Sequence, residues 1–228
     1  MCGRFNLRTS AAEIARQFLP GVDLETLPHL EPRYNIAPTQ QILAILQEEG
    51  EGKSPQLRTI RWGLVPSWSD DLSIGSRMIN ARSETVAEKP SFRGPFKSRR
   101  CIIPADGYYE WKEEHGAKQP YEFSRRDGRL LALAGLWEQN AKLGTAGVPL
   151  QTCTILTTAA NEEASMFHDR MPVFIDQGDL TRWLDPNFRD SHQLQGLLRP
   201  APAGTLVARP VSRRLNWVRN QGADLLVP

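Results

Sequence analysis

Seven short segments rich in β-branched and aromatic residues, at 41–47, 57–62, 101–104, 108–112, 121–125, 130–137 and 152–158, set the main limit on how this chain can fold. Alternating apolar side chains suit a pleated surface, and such runs separated by turn residues read as strands of a sheet. Arg126-Asp127-Gly128 carries hairpin-turn chemistry, and Ala105-Asp106-Gly107 is a second turn signal between two strands, so adjacent antiparallel strands are expected. A last strand is expected near 205–211. Helices should be short. Ser10-Ala11-Ala12-Glu13 reads as a capping box opening a helix through Phe18, with Pro20-Gly21 as the stop, and others are expected at 161–166, 178–184 and 191–198. The 17 prolines, among them Pro32, Pro38, Pro66, Pro90, Pro95 and Pro104, mark long ordered loops, which on a rigid β scaffold commonly carry function. No period of 20–50 residues repeats, which argues against a solenoid or propeller. With 228 residues and no low-complexity linker, the chain reads as one β-rich α+β domain over residues 1–228.

An apolar content of 40% with 24% charged residues is ordinary for a soluble globular chain and excludes a disordered or fibrous one. No apolar run approaches the roughly 20 residues that span a bilayer, and no basic-then-apolar leader opens the sequence. A cytoplasmic protein is expected. Cys2, Cys101 and Cys153 are odd in number and far apart, so neither a disulfide framework nor a metal site is indicated. The net charge is only +2, yet it is unevenly placed. Residues 77–101 hold seven Lys and Arg against two Glu, a net +5, and residues 205–222 hold four Arg and no acid, a net +4, which leaves −7 on the rest. A fold that joins the two windows has a basic face suited to a polyanion. The plainer reading is solvated surface arginine.

The sharpest chemical signal is Cys2, directly behind Met1. Removal of that methionine would leave one residue carrying two nucleophiles, an α-amine with a reference pKa of about 7.7–8.0 and a thiol at about 8.5. Together they can condense with an aldehyde and close a thiazolidine, or the thiol alone can attack an acyl carbon. A small second residue also simply favours methionine removal. Three further strings hold polar residues in apolar company: Ile79-Asn80-Ala81-Arg82-Ser83-Glu84, Gly107-Tyr108-Tyr109-Glu110-Trp111 and His168-Asp169-Arg170-Met171-Pro172. An apolar surround would raise the Glu110 carboxyl pKa and suit it to proton transfer; strand alternation equally reads Glu110 as a solvated residue opposite Tyr109 and Trp111. His168 can serve as acid or base near neutral pH, while Asp169 and Arg170 can form a structural ion pair. Asn80 can orient a carbonyl or hydroxyl, or be a turn residue bonded to its own backbone.

In order along the chain, Met1-Cys2-Gly3-Arg4-Phe5, Arg33-Tyr34-Asn35-Ile36-Ala37-Pro38, Trp62-Gly63-Leu64-Val65-Pro66-Ser67-Trp68, Ile79 to Thr85, Arg100 to Trp111, His168 to Pro172 and Val218-Arg219-Asn220-Gln221-Gly222 resemble the SRAP family, the SOS-response-associated peptidases or abasic-site shielding proteins. The resemblance covers nearly the whole chain. It implies mostly antiparallel strands in a barrel-like arrangement with a few short helices, and a monomer without cofactor or metal. It also implies that Cys2, Asn80, Glu110 and His168 meet at one end of a basic groove for single-stranded DNA. There the freed Cys2 would trap an abasic aldehyde as a thiazolidine, Glu110 and His168 would move protons, and Asn80 would position Cys2 and the sugar. Glu110 is also implicated in autocatalytic release of Met1. Arg4, Arg77 and Arg82 would hold phosphates, Arg213 and Arg219 would lengthen the track, Asn35 would join the DNA-binding set, and Pro38 and Trp68 would meet bases. Some relatives carry a second tryptophan where this chain has Ser69. The alternative class is an N-terminal-nucleophile cysteine peptidase or amidohydrolase, which has no need of a phosphate track; a non-catalytic single-strand binder is the third reading.

Overall fold

The computed structural model describes residues 2–114 and 116–228, so Met1 and its removal lie outside the described residues. Twelve strands are described in chain order: β1 (Phe5–Leu7), β2 (Arg33–Ile36), β3 (Gln41–Leu46), β4 (Gln56–Trp62), β5 (Asn80–Arg82), β6 (Arg100–Ala105), β7 (Gly107–Glu114), β8 (Ala117–Arg125), β9 (Leu131–Thr145), β10 (Val148–Ala159), β11 (Arg170–Pro172) and β12 (Leu206–Pro210). The described α-helices are α1 (Ala11–Phe18), α2 (Pro90–Ser98), α3 (Glu162–Ser165), α4 (Leu180–Leu184) and α5 (Ser191–Gly196). The β-rich α+β expectation holds. Strands β10, β4, β3, β6 and β9 pair in that order, and β9 pairs back onto β10, closing a five-stranded barrel. A second sheet runs β12-β8-β7-β1-β2. Phe5 of β1 meets Trp62 of β4 edge-on at 5.4 Å across the two sheets. Within the second sheet Tyr108 of β7 stacks on Phe123 of β8 at 5.0 Å, and Tyr108 also tilts against Phe174 at 6.2 Å. Among the described residues, no helix is long and apolar enough to cross a membrane.

Strand β10 is the exception to antiparallel pairing. Thr152 and Cys153 run parallel to Arg61 and Trp62 of β4, and Ile155–Thr157 run parallel to Asn80–Arg82 of β5. On its other edge β10 pairs antiparallel with β9 and then, through Thr157–Ala159, with β11. One long strand therefore closes the barrel with its first half and extends past the rim with its second.

Local chemistry accounts for much of this. Ser10 and Glu13 form the reciprocal cap on α1, and the Asp127-Gly128 turn joins β8 to β9 with Gly128 at φ +74°. The Asp106 turn differs from expectation. It does not close a hairpin: β6 belongs to the barrel and β7 to the second sheet, so the chain changes sheets at Asp106. The Asp106 carboxylate accepts the backbone N–H groups of Arg8 and Thr9 and the Thr9 hydroxyl, which fastens the end of β1 to the crossing. Gly63, at φ +118°, and Gly75 lie back to back, and a Cβ on either would come within 2.6 Å of the other's carbonyl oxygen. That close approach holds the loop carrying Trp68 against the turn carrying Arg77.

Helix α2 was unexpected, because Pro90, Gly94 and Pro95 read as loop. Pro90 occupies the first turn, where a missing N–H is tolerated. Pro95 forfeits a helical hydrogen bond, but Pro95, Phe96 and Ser98 are buried, so tertiary packing overrides propensity. Arg100 supplies the anchor. It is fully buried and donates to five carbonyls, those of Phe96 and Lys97 at the end of α2 and of Trp183, Asp185 and Phe188 around the end of α4. Burial pulls its guanidinium down to about 10, still ionised at neutral pH. Arg100 thus leaves the basic face that its sequence window suggested, and Arg99 is paired with Glu138 at 2.9 Å.

Arg100→Met strands these carbonyls, each costing about 1–3 kcal/mol when buried without a partner. We expect a loss above about 4 kcal/mol, or about 8–16 °C in Tm for a chain of this size. Arg100→Lys, with three donors on one point, should not rescue it. Thermal unfolding within 2 °C of wild type (roughly 1 kcal/mol or less) for either variant would show that the guanidinium is not an anchor.

Candidate active site

Four of the sequence-selected residues come together: Asn80 bonds Cys2, and Glu110 interacts electrostatically with both Cys2 and His168. Tyr109 N donates to Arg4 O at 2.9 Å, which lays the amino end along β7 just before Glu110. Cys2 is fully buried there. Asn80, the first residue of β5, donates through Nδ2 to the Cys2 carbonyl at 3.0 Å, so it is a strand residue bonded across the fold and not a self-bonded turn residue. His168 follows α3 and precedes β11, on the opposite edge of β10 from β5. Its Nδ1 accepts the Arg170 N–H at 3.0 Å and lies 2.6 Å from Asp169 Oδ1. These contacts demand opposite states of Nδ1. The backbone amide is fixed while Asp169 is exposed and free to turn, so the amide sets the ring and directs the Nε2 edge away from it.

Glu110 is only 5% exposed. Alternation does send Tyr109 and Trp111 the other way, where Tyr109 packs with Val211, Leu215 and Leu225, but the face left to Glu110 is not the solvated one. Cys2 and His168 lie close to Glu110 on that face. Burial raises the Glu110 carboxyl pKa. Burial pushes the Cys2 thiol up strongly, with the Glu110 charge adding to the push and an Arg4 backbone hydrogen bond opposing it. In the methionine-capped chain the thiol is therefore protonated at neutral pH. Tyr108, fully buried, has its phenol pKa raised by burial and then by Cys2 and Glu110, which makes it a site neighbour that the sequence did not single out.

Arg4, Glu110, Trp111, Glu113, Lys118, His168 and Asn216 line an open cleft of about 670 Å³. Among the described residues, no group of three His, Cys, Asp or Glu side chains is placed to hold a metal ion. Residues 1–218 match the family described as SOS response associated peptidase (SRAP). The chain belongs to the SRAP family. It is 44% identical over 230 residues to abasic site processing protein YoqW of Bacillus subtilis, covering 99% of both chains. It is 43% identical over 231 residues to abasic site processing protein YoaM of the same organism, covering 99% of this chain and 97% of that one. A crystal structure of a protein from Bacteroides thetaiotaomicron matches with a TM-score of 0.81 at 25% identity, covering 93% of each chain.

The remaining residues selected from the SRAP resemblance divide by exposure. Arg77, Arg82, Arg213 and Arg219 are exposed. Arg82 shares a strand face with Asn80, two residues away on β5. Arg213 donates to Gln119 at 3.0 Å, near the Lys118 side of the cleft. Trp68 is 57% exposed and borders a separate hollow of about 300 Å³ with Arg93, Lys97 and Arg99. Ser69 is buried, its carbonyl taken by Asn140, and Pro38 is half-buried. Asn35 is corrected. It is fully buried, accepts from Arg4 Nη1 at 2.6 Å and donates to the carbonyls of Leu215, Trp217 and Asn220, so it holds Arg4 and the C-terminal segment and presents nothing to a nucleic acid. Arg170 pairs with Glu84, at 3.1 and 2.9 Å, and not with Asp169, which ties the Asn80 string to the His168 string.

A carboxyl whose folded pKa lies above its unfolded value of about 4.3 binds its proton more tightly in the folded protein. Glu110 therefore supports folding below about pH 4.3 and loses that contribution as pH climbs to its folded value. Denaturant titrations should show the unfolding free energy of Glu110→Gln gaining on wild type across that interval and running parallel above it. A pH-independent gap would mean that the Glu110 pKa is not raised.

Proposed function

We propose that this SRAP protein senses abasic sites in single-stranded DNA and shields them through a covalent bond to Cys2. The convergence of Cys2, Asn80, Glu110 and His168 carries the reading. The naming of its relatives as abasic site processing proteins supports it. Loss of Met1 frees the Cys2 amine. That amine adds to C1′ of the opened deoxyribose and expels one water to give an imine. The thiol then adds across the C=N bond: sulfur bonds to carbon, and the thiol proton ends on nitrogen, closing a thiazolidine. Asn80 holds the Cys2 carbonyl so that amine and thiol face one carbon. Glu110, with its raised pKa, takes and returns protons during imine formation, and His168 assists opening of the sugar ring. Arg82, two residues from Asn80 on β5, and Arg4, on the cleft, would meet phosphates next to the lesion, and the exposed Arg77, Arg213 and Arg219 would extend the track.

A cysteine peptidase has no need of a phosphate track, whereas the exposed Arg77, Arg82, Arg213 and Arg219 suit one.

Intact-mass analysis after incubation with an abasic oligonucleotide should give a species equal to processed protein plus DNA minus one water. Cys2→Ala should give no stable adduct, and borohydride should trap its transient imine. A heat-stable, borohydride-independent adduct on Cys2→Ala would move the bond elsewhere and overturn the reading. Arg82→Ala should weaken every single-stranded sequence alike and flatten the salt dependence by about 0.7 log unit; an unchanged slope would remove Arg82 from the track.

A further inference from the structure

Trp217 has no part in the chemistry above, yet it is 74% exposed, the most exposed of the large apolar side chains described. Nothing about its backbone is loose. Its carbonyl accepts from Asn35 Nδ2 at 3.1 Å, and its N–H donates to Arg214 O at 3.3 Å. On either side of it, Asn35 also holds the carbonyls of Leu215 and Asn220, and Asn220 Nδ2 donates to Arg214 O at 2.7 Å. The indole is thus held out in water by a turn whose main chain is tied down.

That turn is also joined to the cleft. Asn216 lines it beside Glu110 and His168, and its Oδ1 accepts from Trp111 Nε1 at 2.7 Å. Trp217 is the next residue, about 3.8 Å further along the chain. Arg213 and Arg219 are exposed on either side of it in sequence. An exposed aromatic face on an anchored turn, next to a residue that lines the cleft and between two exposed arginines in sequence, matches the way proteins hold unpaired bases, by stacking on a π-face while phosphates meet arginine. An anchored backbone also spares part of the entropy of ordering the turn on binding.

We propose that Trp217 is a stacking platform for one unpaired base flanking the abasic site, a contact separate from any made in the hollow that Trp68 borders. The proposal rests on the single-stranded DNA reading. It makes lesion recognition depend on a base beside the gap as well as on the gap itself, with the arginines fixing the backbone and Trp217 fixing how the strand enters the cleft.

The test uses the full-length protein and single-stranded oligonucleotides with a central tetrahydrofuran, an abasic analogue with no aldehyde. Further tetrahydrofuran spacers replace, one at a time, each neighbouring nucleotide. Trp217→Ala should weaken binding of the singly substituted strand about 5- to 150-fold, the range that stacking on one aromatic ring spans, with an unchanged salt slope, and Trp217→Phe should recover most of it. A spacer at one flanking position should weaken wild type by a similar factor and leave Trp217→Ala with no further loss. Equal binding by wild type and Trp217→Ala, or a loss indifferent to which base is missing, would overturn the platform. If wild type neither binds these strands nor cross-links a true abasic site, the single-stranded DNA reading fails with it; if wild type does both and Trp217→Ala matches it, only the platform fails. Unfolding curves matching wild type are expected for both variants, because the side chain is in solvent.

Discussion

The candidate site depends on β10 pairing along its whole length with different partners. Its first half is committed to the barrel, hydrogen-bonded to β9 and β4. The second half leaves the barrel rim and takes β5 on one edge and β11 on the other. Asn80 begins β5, and His168 lies two residues before β11, so the register of one strand sets the separation of two site residues that are far apart in sequence. The bidentate Glu84–Arg170 pair then bridges β5 to β11 across β10 and limits their independent movement. A closed barrel is a stiff support for the loops and short strands that project from it.

Buried charge is handled in two ways in this protein. Arg100 is surrounded by carbonyl oxygens, so its charge is solvated by backbone and serves as a fixed joint between α2, α4 and the barrel. Glu110 and Cys2 are buried against apolar neighbours and each other, which favours their neutral forms. The first arrangement spends polar groups on rigidity. The second holds groups in states that a reaction can change, and such perturbed groups cluster where chemistry occurs.

Sequence patterning exposed the barrel more readily than the site. β3, β4, β6, β9 and β10 overlap the apolar runs, because strands buried in a barrel need continuous β-branched and aromatic residues. β1, β5 and β11, three residues each, are too short for any period to be read. These are the strands that carry or adjoin Cys2, Asn80 and His168, so the site was legible only as motifs. α2 was hidden by its prolines, and the sheet change at Asp106 by a turn signature that fits a hairpin equally well. Asn35 illustrates a further limit, since a polar residue in a motif can act on other residues, and its burial is visible only once Arg4 and the 215–220 carbonyls are seen around it.

The pairing of β1 gives the protein a timetable during its own synthesis. Phe5 is opposite Tyr108, so β1 acquires its second neighbour only after more than a hundred further residues have been made. Until then it has β2 alone, and a two-stranded ribbon is marginal in water. At roughly 5–20 residues per second that delay lasts about 5–20 s. Through that interval the amino end lacks the strand that later packs over it. Once β7 docks, the Cys2 side chain is covered, so the order of synthesis separates a stage in which the amino end is open from one in which it is packed.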